Sequence, residues 1–306
     1  MRPLPAYTIA SMTRKRGIPE SMRYEALLLI TAAIWGTGFV AQRLGMQNLG
    51  PFSYNAARFA VGALVLVPVL LVRRTGAGAL KASLAPGLAA GAVLAVAAAL
   101  QQSGLQYTSA GKAGFITGLY VVLVPIAAMF LGKKTPPLTW LGAGCALGGL
   151  YLLSFAGDAG INRGDVLVFA SAFFWTAHIL VLDRWASRVD PIALACVQFA
   201  VCSAICWASA ALTETLIASD FVAAALPVAY GGLFSIGIAY TLQAIAQSKA
   251  HPSRASIIMS LESPFAVLSG FLVLGERLGA REALGCALML GGMIVAQLRF
   301  QAPRTP

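Results

Sequence analysis

Three ionisable side chains stand inside otherwise apolar segments of this 306-residue chain: Glu262, His178 and Arg58. Such a group costs roughly 2.5–3.5 kcal/mol at mid-helix in hydrocarbon on insertion scales, so it calls for a function or a partner. Glu262, close to Pro264, suits a proton carrier or an amine-binding carboxylate in a water-filled cavity. It equally suits a packing carboxylate bonded to Ser260, Ser263 or a freed backbone group. His178, one helical turn after Trp175, would either line a cavity and titrate near neutral pH or sit neutral against a carbonyl. Arg58 would either hold an anion or snorkel along its aliphatic stem to the nearer interface, the simpler account.

Polar and aromatic side chains gather near the expected midplane: Trp35, Thr37, Gln101, Gln102, Tyr120, Trp175, Tyr240 and Gln243. Amides for a carboxylate or ammonium, with aromatics for an apolar side chain, suit a zwitterion of amino-acid size. The competing account is that Trp and Tyr anchor interfaces while Gln bonds between helices. Pro125 and Pro264 are expected to kink their helices, because proline removes one donor and frees a carbonyl.

Other chemistries find no residues to carry them. Cys202 and Cys206 share a helix face at four-residue spacing, but no His or carboxylate stands near them, so packing is expected and no metal. There is no Gly-x-Ser-Gly nucleophile motif with a paired His, and no Gly-x4-Gly-Lys-Ser/Thr phosphate loop. We therefore expect no catalytic residue, no cofactor and no enzyme, with any energy drawn from gradients.

The elements that must position these residues are membrane helices. The chain is 58% hydrophobic and only 11% charged, against about 25% charged in soluble domains. Apolar runs of roughly 20 residues, long enough to cross about 30 Å of hydrocarbon as helices, recur about ten times. They fall near 24–42, 52–72, 84–106, 111–131, 138–156, 164–182, 191–212, 222–247, 254–274 and 281–299. The net charge of +11 reports topology rather than nucleic acid. With the N-terminus inside, sixteen of the 22 Lys and Arg fall on the cytoplasmic side and five outside, Arg58 lying within a span. That bias is the positive-inside pattern and places both termini in the cytoplasm.

The chain also repeats itself. Trp35 and Trp175, Pro51 and Pro191, and Phe59-Ala60-Val61 and Phe199-Ala200-Val201 share one separation of 140 residues. Leu141-Gly142 and Gly148-Gly149 recur as Leu284-Gly285 and Gly291-Gly292 at 143. An odd number of spans per half inverts the second half relative to the first, the arrangement of many secondary transporters. The expected fold is an all-α integral membrane protein of about ten transmembrane helices in two inverted five-helix repeats. The expected boundaries are a basic tail 1–23, repeats 24–156 and 163–300, and a tail 301–306. Small-xxx-small spacing at Gly144/Gly148 and Ala287/Gly291 allows close packing within the chain or against a second subunit, so monomer and homodimer both remain open.

Together these motifs resemble the EamA-type drug/metabolite transporters and, within them, the YddG-type amino-acid exporters. The resemblance runs from about Tyr24 to Phe300. It is carried by Ile34-Trp35-Gly36-Thr37-Gly38-Phe39, Ala57-Arg58-Phe59, Tyr107-Thr108-Ser109-Ala110, Leu261-Glu262-Ser263-Pro264-Phe265-Ala266, Leu274-Gly275-Glu276-Arg277-Leu278 and Leu284-Gly285. It implies ten helices, inverted repeats, a central cavity and export of amino acids or related metabolites; the expected setting is a bacterial inner membrane, with a small solute and the lipid bilayer as partners and no nucleic acid. The first repeat departs from the pattern, with Lys133-Lys134 opposite Glu276-Arg277 and Leu123 where the second has the Leu-Glu-x-Pro carboxylate. Cations rather than amino acids are the alternative cargo, with Glu262 as the binding charge.

Overall fold

A computed structural model describes residues 20–108, 110–154, 161–274 and 279–298, and every regular element among them is helical. Ser109, the motif residues Gly275-Glu276-Arg277-Leu278, the tail up to residue 19 and the tail from residue 299 lie outside the described residues. The first half forms α1 (Glu20–Gly45), α2 (Pro51–Val72), α3 (Ala77–Gly104), α4 (Ala110–Gly118), α5 (Tyr120–Phe130) and α6 (Pro137–Ser154). The second forms α7 (Arg163–Trp185), α8 (Pro191–Thr213), α9 (Ala218–Ala223), α10 (Ala225–Tyr230), a π-helix π1 (Gly231–Tyr240), α11 (Thr241–Gln247), α12 (Pro252–Met259), α13 (Glu262–Leu274) and α14 (Ala280–Gln297). Several helices begin on proline at the first position (Pro51, Pro191, Pro252), where its missing N–H is not needed and its φ is already helical.

Six helical runs are long and apolar enough to cross a membrane: α1, α2, α3, α7, α8 and the composite Ala225–Gln247. Ile116–Phe130 and Pro137–Leu153 are shorter and apolar. Outward faces expose Leu64, Leu71, Phe130 and Leu212, the side chains lipid would cover.

Three of the expected spans are not the continuous helices that their hydropathy suggests. The fourth breaks at Leu119 between α4 and α5, and the ninth at Ser260-Leu261 between α12 and α13. The eighth changes pitch through the ten-residue π1. Hydropathy records where a chain is apolar, not whether its backbone ladder is continuous. The breaks also correct the assignment of the kinks. Pro264 lies in the first turn of α13, three residues past the break, where its missing N–H costs no helical bond. Pro125 lies inside the unbroken α5, and the break stands six residues before it.

Corresponding helices of the two halves pack on each other, α2 with α8 and α6 with α14, and α3 lies against α7 and α8 as α1 and α2 lie against π1. Both matched pairs are antiparallel. Arg73, at the C-terminus of α2, pairs with Asp190 at 3.2 Å, and Asp190 caps the first turn of α8. At the other end Glu214, just past α8, accepts from the backbone N–H of Phe52 and Ser53 at 2.8 Å each and from the Ser53 hydroxyl, capping α2 from the opposite half. Between α6 and α14 the seam is made by Gly142 and Gly149 against Gly292 and Gly285, where any Cβ would fall within 2.5–2.9 Å of a facing carbonyl oxygen. The spacing that forms this seam is seven residues. Gly144 and Gly291, part of the expected four-residue pattern, face open space.

Glu214→Ala removes the cap from the first turn of α2, a loss of about 1–2 kcal/mol for a helix N-cap. We expect the purified protein in detergent to melt several degrees lower; a wild-type melting temperature would mean that water caps α2 equally well.

Candidate functional site

The two helix breaks face each other across the middle of the bundle. Tyr120 is the first residue of α5 and Glu262 the first of α13, and the Tyr120 hydroxyl donates to Glu262 Oε1 at 3.3 Å. The N-terminal ends of both half-helices thus meet near one carboxylate, and helix N-termini carry partial positive charge. Counted from the breaks, the counterpart of Glu262 is Tyr120 rather than Leu123. The prolines are offset by one turn between the halves and misalign the motif. Gly36 permits the arrangement: a Cβ there would lie 2.6 Å from the Glu262 carbonyl oxygen and 2.5 Å from Phe265 Cβ, so only glycine lets α1 seat on the first turn of α13.

Beside this contact lies a narrow cavity of ≈ 50 Å³, space for a few waters at about 10–15 Å³ each. Its aromatic wall centres on Tyr240, the last residue of π1. The Tyr240 ring lies 4.5 Å from Trp35 and 6.2 Å from Trp175, nearly parallel to the latter at 22°. Trp35 Nε1 donates to the carbonyl of Ser235 within π1 at 3.1 Å, which fixes the indole. Gln243 and Glu262 complete the groups that the sequence singled out and the fold brings together.

Two of the expected site residues are elsewhere. Gln102 is fully buried and outside the cavity wall; its neighbour Gln101 takes the place, donating to Thr117 Oγ1 at 3.0 Å. Adjacent helical residues point about 100° apart, so both could not share the wall. His178, also fully buried, stands behind the aromatic wall, with its Nε2 2.9 Å from Gln198 Oε1 and its ring 6.0 Å from Tyr240. Gln198 is the repeat counterpart of Arg58.

Arg58 does the opposite of what snorkelling requires. It is 3% exposed and lines the cavity. Its Nε donates to Asn55 Oδ1 at 2.9 Å, and its guanidinium carbon lies 5.3 Å from the ring centres of Tyr54 and Phe59. The cost of an arginine within a span was the signal that marked it. Gln42, Ser235, Ile179 and Met259 also line the cavity, and nothing in their types or spacing announced it.

Gln42, Arg58, Gln101 and Thr117 place the cavity toward the end where α1 stops and α2 begins. The opposite end is tied shut. Gln247 Nε2 donates to the Ile179 carbonyl at 3.1 Å, Lys133 pairs with Asp183, and Thr135 Oγ1 lies 3.3 Å from Ser253 Oγ. His251 in the loop there is lowered below its ordinary value, by burial first and then by Lys133 and Arg254, against the opposing pull of Asp183.

The sequence pattern of the EamA-like transporter family matches residues 22–155 and again 162–297. An "uncharacterized transporter" of Archaeoglobus fulgidus is 31% identical over 275 residues, 89% of this chain and 85% of that protein. The "uncharacterized inner membrane transporter YedA" of Escherichia coli K12 is 25% identical over 300 residues, 93% and 96% of the two chains. A "probable terminal-alkyne amino-acid exporter" of Streptantibioticus cattleyicolor is 24% identical over 287 residues, 89% and 92%. One solved crystal structure shares the fold with a TM-score of 0.76 at 21% identity, over 90% of this chain and 97% of its own.

The buried amides generate a stability test. Neither amide atom of Gln102 has a partner among the described residues, whereas Gln198 Oε1 satisfies His178 Nε2. Gln102→Leu should leave the melting temperature unchanged or raised, whereas Gln198→Leu strands His178 and should lower it, by about 1–3 kcal/mol of stability. Equal losses in both variants would mean that Gln102 has partners in the membrane.

Proposed function

The chain belongs to the EamA-like transporter family, and from that premise we propose that it exports amino acids, neutral ones and aromatic ones among them, or closely related metabolites. The observation that carries the reading is the cavity itself. Trp35, Trp175, Tyr240 and Tyr120 offer ring faces to an apolar side chain, and Gln243, Arg58 and Glu262 offer polar and charged groups beside them. The name of the Streptantibioticus relative, an amino-acid exporter, agrees in substrate class.

In this reading the chain crosses a bacterial inner membrane ten times as two inverted repeats, both termini in the cytoplasm. The antiparallel packing of α2 on α8 and of α6 on α14 supports the inversion, because equivalent helices of inverted repeats run in opposite directions. The closed end then faces the cytoplasm and the cavity is reached from outside. Alternating access opens the ties of Gln247, Lys133–Asp183 and Thr135–Ser253 while the opposite end closes. A cavity of ≈ 50 Å³, with room for a few waters, must widen to admit a solute of amino-acid size. Glu262 is the candidate proton carrier: a carboxyl that releases its proton when a substrate ammonium arrives couples the two by competition. Export of lipophilic cations is the poorer fit, because Arg58 stands in the same cavity.

Counterflow of labelled phenylalanine into proteoliposomes, with and without a proton gradient, tests the proposal. Wild-type protein should accumulate the label and respond to the gradient. Trp35→Ala and Trp175→Ala should each raise the apparent KM about tenfold, the value of one lost aromatic contact of roughly 1–1.5 kcal/mol. Glu262→Gln should weaken counterflow and abolish its response to the gradient. Silent vesicles with aromatic and aliphatic amino acids alike would overturn the amino-acid reading, and protection of cells against cationic dyes would then replace it.

A further inference from the structure

The Arg58 guanidinium and the Glu262 carboxyl group are buried in one cavity, 3% and 8% exposed, and they are not joined to each other. Among the described residues no carboxylate lies within ion-pair distance of Arg58. Its partners are the neutral Asn55 amide and two ring faces. Glu262 has the Tyr120 hydroxyl at 3.3 Å, a long bond for an O–H donor. An arginine stays charged at any working pH, and a buried charge without a counter-charge costs several kcal/mol. Direct pairing would relieve both groups, yet the fold spends Asn55 on steering the guanidinium and Tyr120 on steering the carboxylate.

We infer that Arg58 is the carboxylate-binding group of the transport site and that Glu262 receives the ammonium, so that the cavity selects zwitterions over either singly charged analogue. The inference rests on the amino-acid reading above and adds to it the polar half of the substrate. A zwitterion satisfies both buried charges at once and brings no net charge into the bundle. An amine lacking the carboxylate leaves Arg58 unpaired, and an acid lacking the amine leaves Glu262 unpaired. A site with a polar group left unmatched rejects the incomplete ligand more strongly than a missing apolar contact would. The buried ring of Phe59, behind the cavity lining, stands 5.3 Å from the guanidinium carbon and 6.2 Å from Tyr240, so it links Arg58 to the aromatic wall. The repeat counterparts, Gln198 for Arg58 and Tyr120 for Glu262, carry no charge. The cavity therefore holds one cationic and one anionic anchor, and a substrate has one polar orientation in it.

The test is competition against labelled tryptophan in counterflow by the wild-type protein, using tryptophan, tryptamine and indole-3-propionate. Tryptamine and indole-3-propionate should each compete about tenfold more weakly than tryptophan, or worse. Arg58→Gln should raise the inhibition constant of tryptophan by about tenfold and leave tryptamine within about twofold, so that the preference disappears. Arg58→Lys should restore part of it, and Glu262→Gln should spare indole-3-propionate while weakening the other two. Tryptamine competing as well as tryptophan in the wild type overturns the inference without any variant, so a misfolded Arg58→Gln does not block the decision. Equal loss of tryptophan and tryptamine in a folded Arg58→Gln also overturns it and makes Arg58 a packing residue. Wild-type vesicles silent to all amino acids bring down the amino-acid reading and this inference together, whereas counterflow without discrimination brings down the inference alone.

Discussion

Hydrocarbon offers no hydrogen bonds, so a helix that stops within a membrane must find protein or trapped water for the groups it leaves open. Among the described residues, helices stop inside apolar runs at Leu119 and at Ser260-Leu261, and the bundle is arranged around the groups left open there. The breaks are turned inward and toward each other. Three-residue bonds from Val122 to Leu119, Leu261 to Ile258 and Ser263 to Ser260 tighten the chain across them. The first residues after the breaks are Tyr120 and Glu262, and their side chains meet. A cavity between the breaks follows from the same constraint, since irregular backbone survives at this depth only where it is buried or lines a cavity. Gly36 belongs to the same logic, because the α13 break is covered only if α1 approaches to backbone contact.

Much of this fold is legible in the sequence because the bilayer is an exacting solvent. It forces long apolar runs, so the six helices long and apolar enough to cross it overlap runs that hydropathy marks. The duplication is legible because Trp35 and Trp175, and Pro51 and Pro191, are rare residues in an apolar background. Span interiors are a different matter. Gln101 and Gln102 are the same residue type side by side, and only helical phase decides which meets the cavity. The π1 pitch moves Tyr240 into the aromatic wall, and no composition rule announces a π-helix. Pro125 and Pro264 suggested matched kinks, but backbone continuity depends on the whole i to i−4 ladder, and α5 absorbs its proline where α13 begins just before its own.

Arg58 and His178 show how little the cost of an ionisable group says about its placement. Both were marked by the cost of an ionisable group in a span. Arg58 near a span end seemed free to reach the interface, yet Asn55 one turn away holds its Nε and the rings of Tyr54 and Phe59 flank it. His178 seemed placed for the cavity, yet Trp175 and Tyr240 stand between, and Gln198 occupies its Nε2. In each case a neighbour on another turn or helix decided the outcome, and such neighbours are invisible in linear sequence.

The two halves share a backbone plan and differ in charge. Matched helices clasp antiparallel, with Arg73–Asp190 at one end of the α2–α8 pair and Glu214 on the first turn of α2 at the other. A symmetric scaffold makes an arrangement and its mirror similar in energy, which is the condition for moving between them with small forces. The side chains break that symmetry inside the cavity, where Arg58 answers to Gln198 and Glu262 to Tyr120. Backbone symmetry alone would give a carrier indifferent to what it holds. Charges alone, on an unsymmetric scaffold, would give a binding site with one stable conformation. On the reading proposed above, selective transport takes the first property from the helices and the second from Arg58 within α2 and Glu262 at the α13 break.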